Sequence, residues 1–174
     1  CTTDRTLRKL AVGIFTGLIG LTSNCSVSAA ETESSIARGG RLYDKFFKEN
    51  KAAKPETDHA TYPHKGGKYG KDSSWRCKEC HGWDYEGDQG SYAQGRHATG
   101  IKGIRAMAGA EPGRTVAILR NTTHRFGAVL KERDLLDLAN FVSFGQRDMN
   151  AAIDRRSGRA RGNAGRAGPY YRTI

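Results

Sequence analysis

Two thiols and an imidazole stand within five residues of one another at Cys77-Lys78-Glu79-Cys80-His81, and Gly82 follows directly. No other stretch narrows the choices for this chain so far. Each sulfur at this spacing can bond a vinyl carbon of a haem while the adjacent histidine reaches the iron, which is the pattern of covalent haem attachment. Zinc is the first alternative, because Cys-x-x-Cys forms half of many tetrahedral sites, but no second paired motif follows at the usual spacing. A thioredoxin-like redox pair would need a strand-helix setting, and a glycine-rich run follows here instead. A coincidental match in an ordinary globular domain stays open beside these.

A buried haem would also make good a shortage of core. The chain has 174 residues, enough for one domain, and 22 of them are glycine. Loops must therefore be extensive, and a flat apolar ligand would supply interior that so small a domain lacks. The formal charge of +11 is unevenly spread, with only +4 across residues 30–150 and +5 after Asn150.

Residues 1–30 read as an export signal, with Arg5, Arg8 and Lys9 ahead of an apolar run over 10–21 and the small residues Val27-Ser28-Ala29-Ala30 at its end. That run is shorter than the ~20 residues of a membrane-spanning helix. Cleavage after Ala29 or Ala30 is expected, with an uncleaved N-terminal anchor as the alternative. Cys1 and Cys25 then fall outside the mature domain, and no structural disulfide is expected. The start at Cys rather than Met reads as a fragment of a longer frame.

A helix is expected from Ser34 or Ser35, where Ile36, Gly39, Gly40, Tyr43, Phe46 and Phe47 recur at intervals of three and four. Adjacent glycines inside a helix cost about 1 kcal/mol each against alanine, so they call for the close approach of another helix. Residues 48–74 are polar and rich in Pro and Gly, and read as an irregular connection in which His59 and His64 are solvated rather than ligands. The glycines between Gly82 and Gly103 suggest loops lying close to a flat ligand, with Trp83, Tyr85, Lys102 and Arg105 as candidate partners for its propionates.

A short helix is expected from Pro112 to near Asn121, with Val116 and Leu119 on one face. A longer one over 131–144 places Leu135, Leu138, Ala139 and Val142 at i, i+3, i+4 and i+7, stops at Gly145 and should pack on the first. Residues 149–174 show no period and read as a basic linker. Nucleic acid is not an expected partner, since no aromatic stacking platform accompanies the arginines. Weak contact with a membrane surface is the other reading of that charge.

Taken in order, these features resemble the class I cytochromes c. The residues that carry the likeness are Gly39 and Tyr43 four apart in a first helix, the Cys77-to-Gly82 segment, a short helix, a ligand loop, and a last helix with an aromatic at Phe141. The likeness runs from about Ile36 to Phe144. It implies an all-α cytochrome c fold over residues 31–148, with few short helices and glycine-rich loops wrapped around one covalent haem c. Cys77 and Cys80 would hold that haem, and His81 would ligate its iron.

Two departures stand out. Tyr43 and Cys77 are 34 positions apart, so residues 48–74 look like an inserted loop. The family's methionine-bearing ligand loop corresponds here to Asn121-Thr122-Thr123-His124-Arg125-Phe126-Gly127, which contains no methionine. His97, Met107, His124 and Met149 are the candidates for the sixth ligand. Position favours His124, with Met107 as the alternative, and methionine would raise the potential relative to a second histidine.

The resemblance implies a periplasmic one-electron carrier, not an enzyme, whose partners are redox donor and acceptor proteins. The alternatives are a haem enzyme or ligand-binding sensor with an open sixth site, or the electron-entry domain of a larger oxidoreductase. Gly168-Pro169-Tyr170-Tyr171 echoes Gly40-Arg41-Leu42-Tyr43, and on this reading a second haem domain would follow Ile174.

Overall fold

The computed structural model describes residues 23–162; residues 1–22 and 163–174, with most of the expected export signal and the terminal echo, lie outside the described residues. Helices dominate what is described: α1 Ser23–Glu49, α2 Cys77–His81, α3 Pro112–Arg120, α4 Glu132–Asn140 and α5 Met149–Ala152. Among the described residues the only strands are β1 Ile153–Asp154 and β2 Arg159–Ala160, an antiparallel pair with Ile153 opposite Ala160. No described helix is long and apolar enough to cross a membrane.

The fold is organised by the crossing of α1 on α4. Leu42 and Tyr43 of α1 and Leu135 and Leu138 of α4 are the most deeply buried large side chains. Each leucine contributes about 1.5–3 kcal/mol by leaving water. The backbones can come this close only because position 39 lacks a side chain. A Cβ there would lie 2.6 Å from the Cβ of Phe141 and overlap the Asp137 carbonyl, which is the helix contact expected from the paired glycines.

Polar bonds fix the register of this seam. Arg38 donates to Asp137 at 2.6 Å and to Asp134 at 2.5 Å, and Ser35 donates to Asp137 at 2.5 Å. Asp134 also accepts the Lys131 N–H at 3.0 Å, capping the first turn of α4. Near its end α1 breaks at Lys45, where φ is −160° and ψ is 83°. The break re-aims the chain so that the consecutive Phe46 and Phe47 are both buried.

α4 runs on through a π-turn, Phe141–Gly145, that buries Phe141, Val142 and Ser143. The Phe141 ring meets Tyr43 at 5.4 Å and Tyr85 at 5.9 Å. α3 starts as expected, with Pro112 in its first turn and Glu111 accepting the Arg114 N–H at 3.2 Å. It packs on α4 and buries Thr115 and Leu119.

Two sequence expectations need correction. Residues 48–74 are irregular, as expected, but they are packed: His59, Tyr62 and Ser74 are buried, and the segment ends in a 3-10 turn at Lys71–Trp75. The apolar surface that holds His59 comes from Trp75 and Phe126, which lie far apart in sequence. The stretch after residue 148 is not a free linker as far as residue 162, because α5 and the β1–β2 hairpin fold back on the core. Arg155 there donates to the buried Asp84 at 2.5 Å and approaches Glu86 at 3.3 Å.

Candidate functional site

α2 is a single turn, so Cys77, Cys80 and His81, spaced i, i+3 and i+4, share one face. All three line a cavity of about 380 Å³. α1 holds both ends of this turn. Arg76 donates through Nε to the Asp44 carbonyl at 2.7 Å and through its guanidinium to the Asp44 carboxylate, while Tyr43 Oη donates to the Gly82 carbonyl at 2.7 Å. Gly82 ends the turn with φ at +78°, a value that favours glycine.

His81 Nδ1 donates to the Lys102 carbonyl at 2.7 Å, which fixes the tautomer and leaves Nε2 as a free lone pair. Burial, the larger influence, lowers the His81 pKa against the raising effect of this bond and keeps the ring neutral. The Lys102 carbonyl is delivered by a backbone crossing, since Gly87 and Lys102 form an isolated antiparallel bridge and the Ile104 N–H donates to the Tyr85 carbonyl at 2.7 Å. Glycine in this region therefore serves contact between two backbone segments.

His124 sits in the turn after α3. Asn121 Oδ1 accepts the N–H groups of Thr123 at 3.0 Å and His124 at 2.9 Å, so this atom is an acceptor and the His124 Nδ1 lying 3.2 Å from it carries the proton. Both histidines thus direct Nδ1 at a protein oxygen. Burial, followed by the nearby His81 and His59, lowers the His124 pKa against the raising effect of a hydrogen bond to the Ile118 carbonyl.

The two rings have centroids 6.2 Å apart and planes 21° apart. That is too far for face-to-face stacking. Two imidazoles ligating one ion from opposite sides, with metal–nitrogen bonds of about 2.0 Å and nitrogens about 1.1 Å from the ring centres, would have centroids about 6.2 Å apart.

Other walls of the cavity come from every helix of the core, including Leu119 of α3 and Leu138 of α4. Met107, the alternative sixth ligand, lines it as well. The remaining candidates do not: His97 stacks between Tyr69 and Tyr92 beside Glu79, and Met149 lies in α5. Of the expected propionate partners only Lys102 lines the cavity. Trp83 is exposed beneath the Lys78 ammonium, Tyr85 packs on Tyr43 and Phe141, and Arg105 bonds the Arg147 carbonyl.

Sequence reasoning missed much of the polar lining, Arg76, Thr115 and His59 above all. Arg76 and the buried Thr115 lie on the wall, and Thr115 Oγ1 has no hydrogen-bond partner. Only the position of Arg76, next to Cys77, could have suggested it. His59, expected to be solvated, is 5% exposed and lies between Trp75 and Phe126.

The donor set discriminates between cofactors. Among the described residues no group of three or more His, Cys, Asp or Glu is placed to hold a metal ion, whereas tetrahedral zinc takes four ligands. Burial pushes the Cys77 and Cys80 thiols up to about 12, the opposite of the depressed pKa of an attacking redox thiol. An iron porphyrin brings four equatorial nitrogens of its own and asks the protein only for axial ligands, thiols and apolar walls. Those are the groups present. No family model, curated protein or solved structure matches the chain, so what the site does has to follow from its own residues.

Proposed function

We propose that this chain is a c-type cytochrome that carries one electron, with a fold of the class I kind. The observation that carries the proposal is the pair His81 and His124, whose rings lie 6.2 Å apart in a cavity also lined by Cys77 and Cys80. When bound, haem c supplies a ferric–ferrous couple. Cys77 and Cys80 would hold it through thioethers, and His81 and His124 would ligate its iron. Leu119, Leu138 and Val142 would keep water out of the cavity, and Arg76, Lys102 and Thr115 are polar groups on its wall that could meet the haem carboxylates. No acid, base or nucleophile is needed.

Redox donor and acceptor proteins are the partners on this reading, and the periplasmic setting rests on the expected export signal. The test is protein matured in a host with haem c attachment machinery. The proposal expects a red protein with both thiols resistant to alkylation, low-spin in both oxidation states and slow to bind CO. Low-spin character should be lost in His124→Ala and kept in Met107→Ala. Colourless protein with two free thiols would end the proposal. A high-spin protein that binds cyanide rapidly would favour the sensor or enzyme with an open sixth site.

A further inference from the structure

We infer that His59 is a positioning residue for the distal ligand, holding His124 at the iron from a segment that the covalent attachment site does not need. This rests on the proposed ligation by His124. Its Nε2 donates to the His124 carbonyl at 2.8 Å, and because a carbonyl only accepts, Nε2 carries the proton. Nδ1 is then the acceptor and takes the Thr61 hydroxyl at 2.9 Å. The main chain of His59 is equally committed: its N–H donates to Ser74 Oγ at 2.8 Å, and the Lys65 ammonium reaches its carbonyl.

The ring faces are occupied too. Phe126 lies nearly parallel to the imidazole at 5.6 Å, and Trp75 meets it edge-on at 4.6 Å. Trp75 is two residues before Cys77, and Phe126 is two residues after His124. His59 therefore spans from the approach to the covalent anchor to the loop of the distal ligand. Asn121 fixes the His124 ring through Nδ1, and His59 fixes its main chain. Thr61 Oγ1 also lies 3.4 Å from the Thr123 carbonyl, with its one proton committed to the shorter contact with His59 Nδ1.

Few other side chains could do this. The position needs a flat ring between Trp75 and Phe126, a donor on one edge and an acceptor on the other. Phenylalanine supplies the ring without the donor, and glutamine supplies an amide donor without the ring. Fixing the main chain matters because an axial ligand competes with its own dissociation. Loosening the loop lets His124 leave the iron more often and opens the sixth position to external ligands.

The experiment compares holoprotein variants by the rate of CO binding to the ferrous form and by the spin state of the ferric form. His59→Phe should bind CO about tenfold faster than wild type and show a high-spin ferric fraction, the size of effect expected on removing an outer-shell partner. His59→Gln, which keeps a donor for the His124 carbonyl without the ring, should fall between His59→Phe and wild type. Should His59→Phe fail to accumulate, Thr61→Ala at an exposed position decides, with CO binding about threefold faster, the weight of one net hydrogen bond. Wild-type CO rates in His59→Phe, or in Thr61→Ala if that is the variant available, overturn the assignment.

His124→Ala in the same series separates the two claims. If it stays low-spin and as slow to bind CO as wild type, ligation by His124 has failed. If it opens the site while His59→Phe behaves as wild type, only the role of His59 has failed.

Discussion

The seam between α1 and α4 and the brace formed by residues 48–74 both hold the cavity together, yet they are built from opposite materials. The seam is a close backbone approach, with Gly39 against the Asp137 carbonyl and Phe141, locked by Arg38 between Asp134 and Asp137. The brace has no regular structure beyond one 3-10 turn and is held by single side-chain bonds to main-chain groups, such as His59 to the His124 carbonyl and Trp75 Nε1 to the Thr57 carbonyl. The seam sets whether the core exists, and the brace sets where one loop stands. Perturbing the seam should therefore register first in stability, and perturbing the brace first in the properties of the site.

The largest effect should come from Gly39→Ala. Its methyl has no space unless α1 and α4 separate, and because the obstruction is backbone, no side chain can swing aside. A loss of about 3 kcal/mol or more is expected in urea unfolding of the holoprotein. Less than about 1 kcal/mol would show that the helices are not in such close contact. Arg38→Met comes next, because it leaves the buried Asp134 without its cation and the buried Asp137 with only the exposed Arg133 at 3.9 Å. About 3 kcal/mol is expected, the low end for a broken buried pair, since the guanidinium is itself a fifth exposed.

The difference in materials also explains what could be read without coordinates. The seam was legible because helices repeat: paired glycines in α1 and the Leu135, Leu138, Ala139, Val142 stripe of α4 are periodic signals that name each other. α2 was legible for a local reason, since five residues carry all of its chemistry. The brace was not, because a histidine in a proline- and glycine-rich loop carries no mark of the carbonyl it will meet 65 positions later. Trp83, Tyr85 and Arg105 were misjudged for a related reason. Trp83 and Tyr85 are close in sequence to His81 and Arg105 to Lys102, but the turn at Gly82 and the crossing at Lys102 send their side chains elsewhere.

The tail offers a milder test, through pH. Burial alone would raise the Asp84 carboxyl, but the Ser91 hydroxyl and N–H, Arg155 and the Glu86 N–H outweigh it and hold it at about 2, against an ordinary 3.8. The folded value lies below the unfolded one, so this contribution is complete above about pH 4 and is lost as pH falls through about 2. Arg155→Ala should cost about 1 kcal/mol near neutral pH, discounted because Arg155 is a third exposed and water screens the pair. The difference from wild type should shrink as pH falls from about 4 towards about 2. A difference that stays constant down to that pH would assign the loss to packing of the hairpin rather than to the charge on Asp84.

The smallest effect, Gly40→Ala, is informative because it differs from Gly39→Ala by one residue. A Cβ at position 40 would lie 3.1 and 3.3 Å from two edge atoms of the Phe141 ring, and a ring can tilt by a few tenths of an ångström where a carbonyl cannot move. Tyr43 and Tyr85 limit that tilt by packing on the same ring, so some strain remains. Against it stands the gain of about 1 kcal/mol from replacing glycine with alanine inside a helix. The two nearly cancel, and unfolding should place Gly40→Ala within about 1 kcal/mol of wild type. Equal losses at the two positions would mean that α1 meets α4 through side chains alone, and the contrast between a backbone seam and a side-chain brace would fall with it.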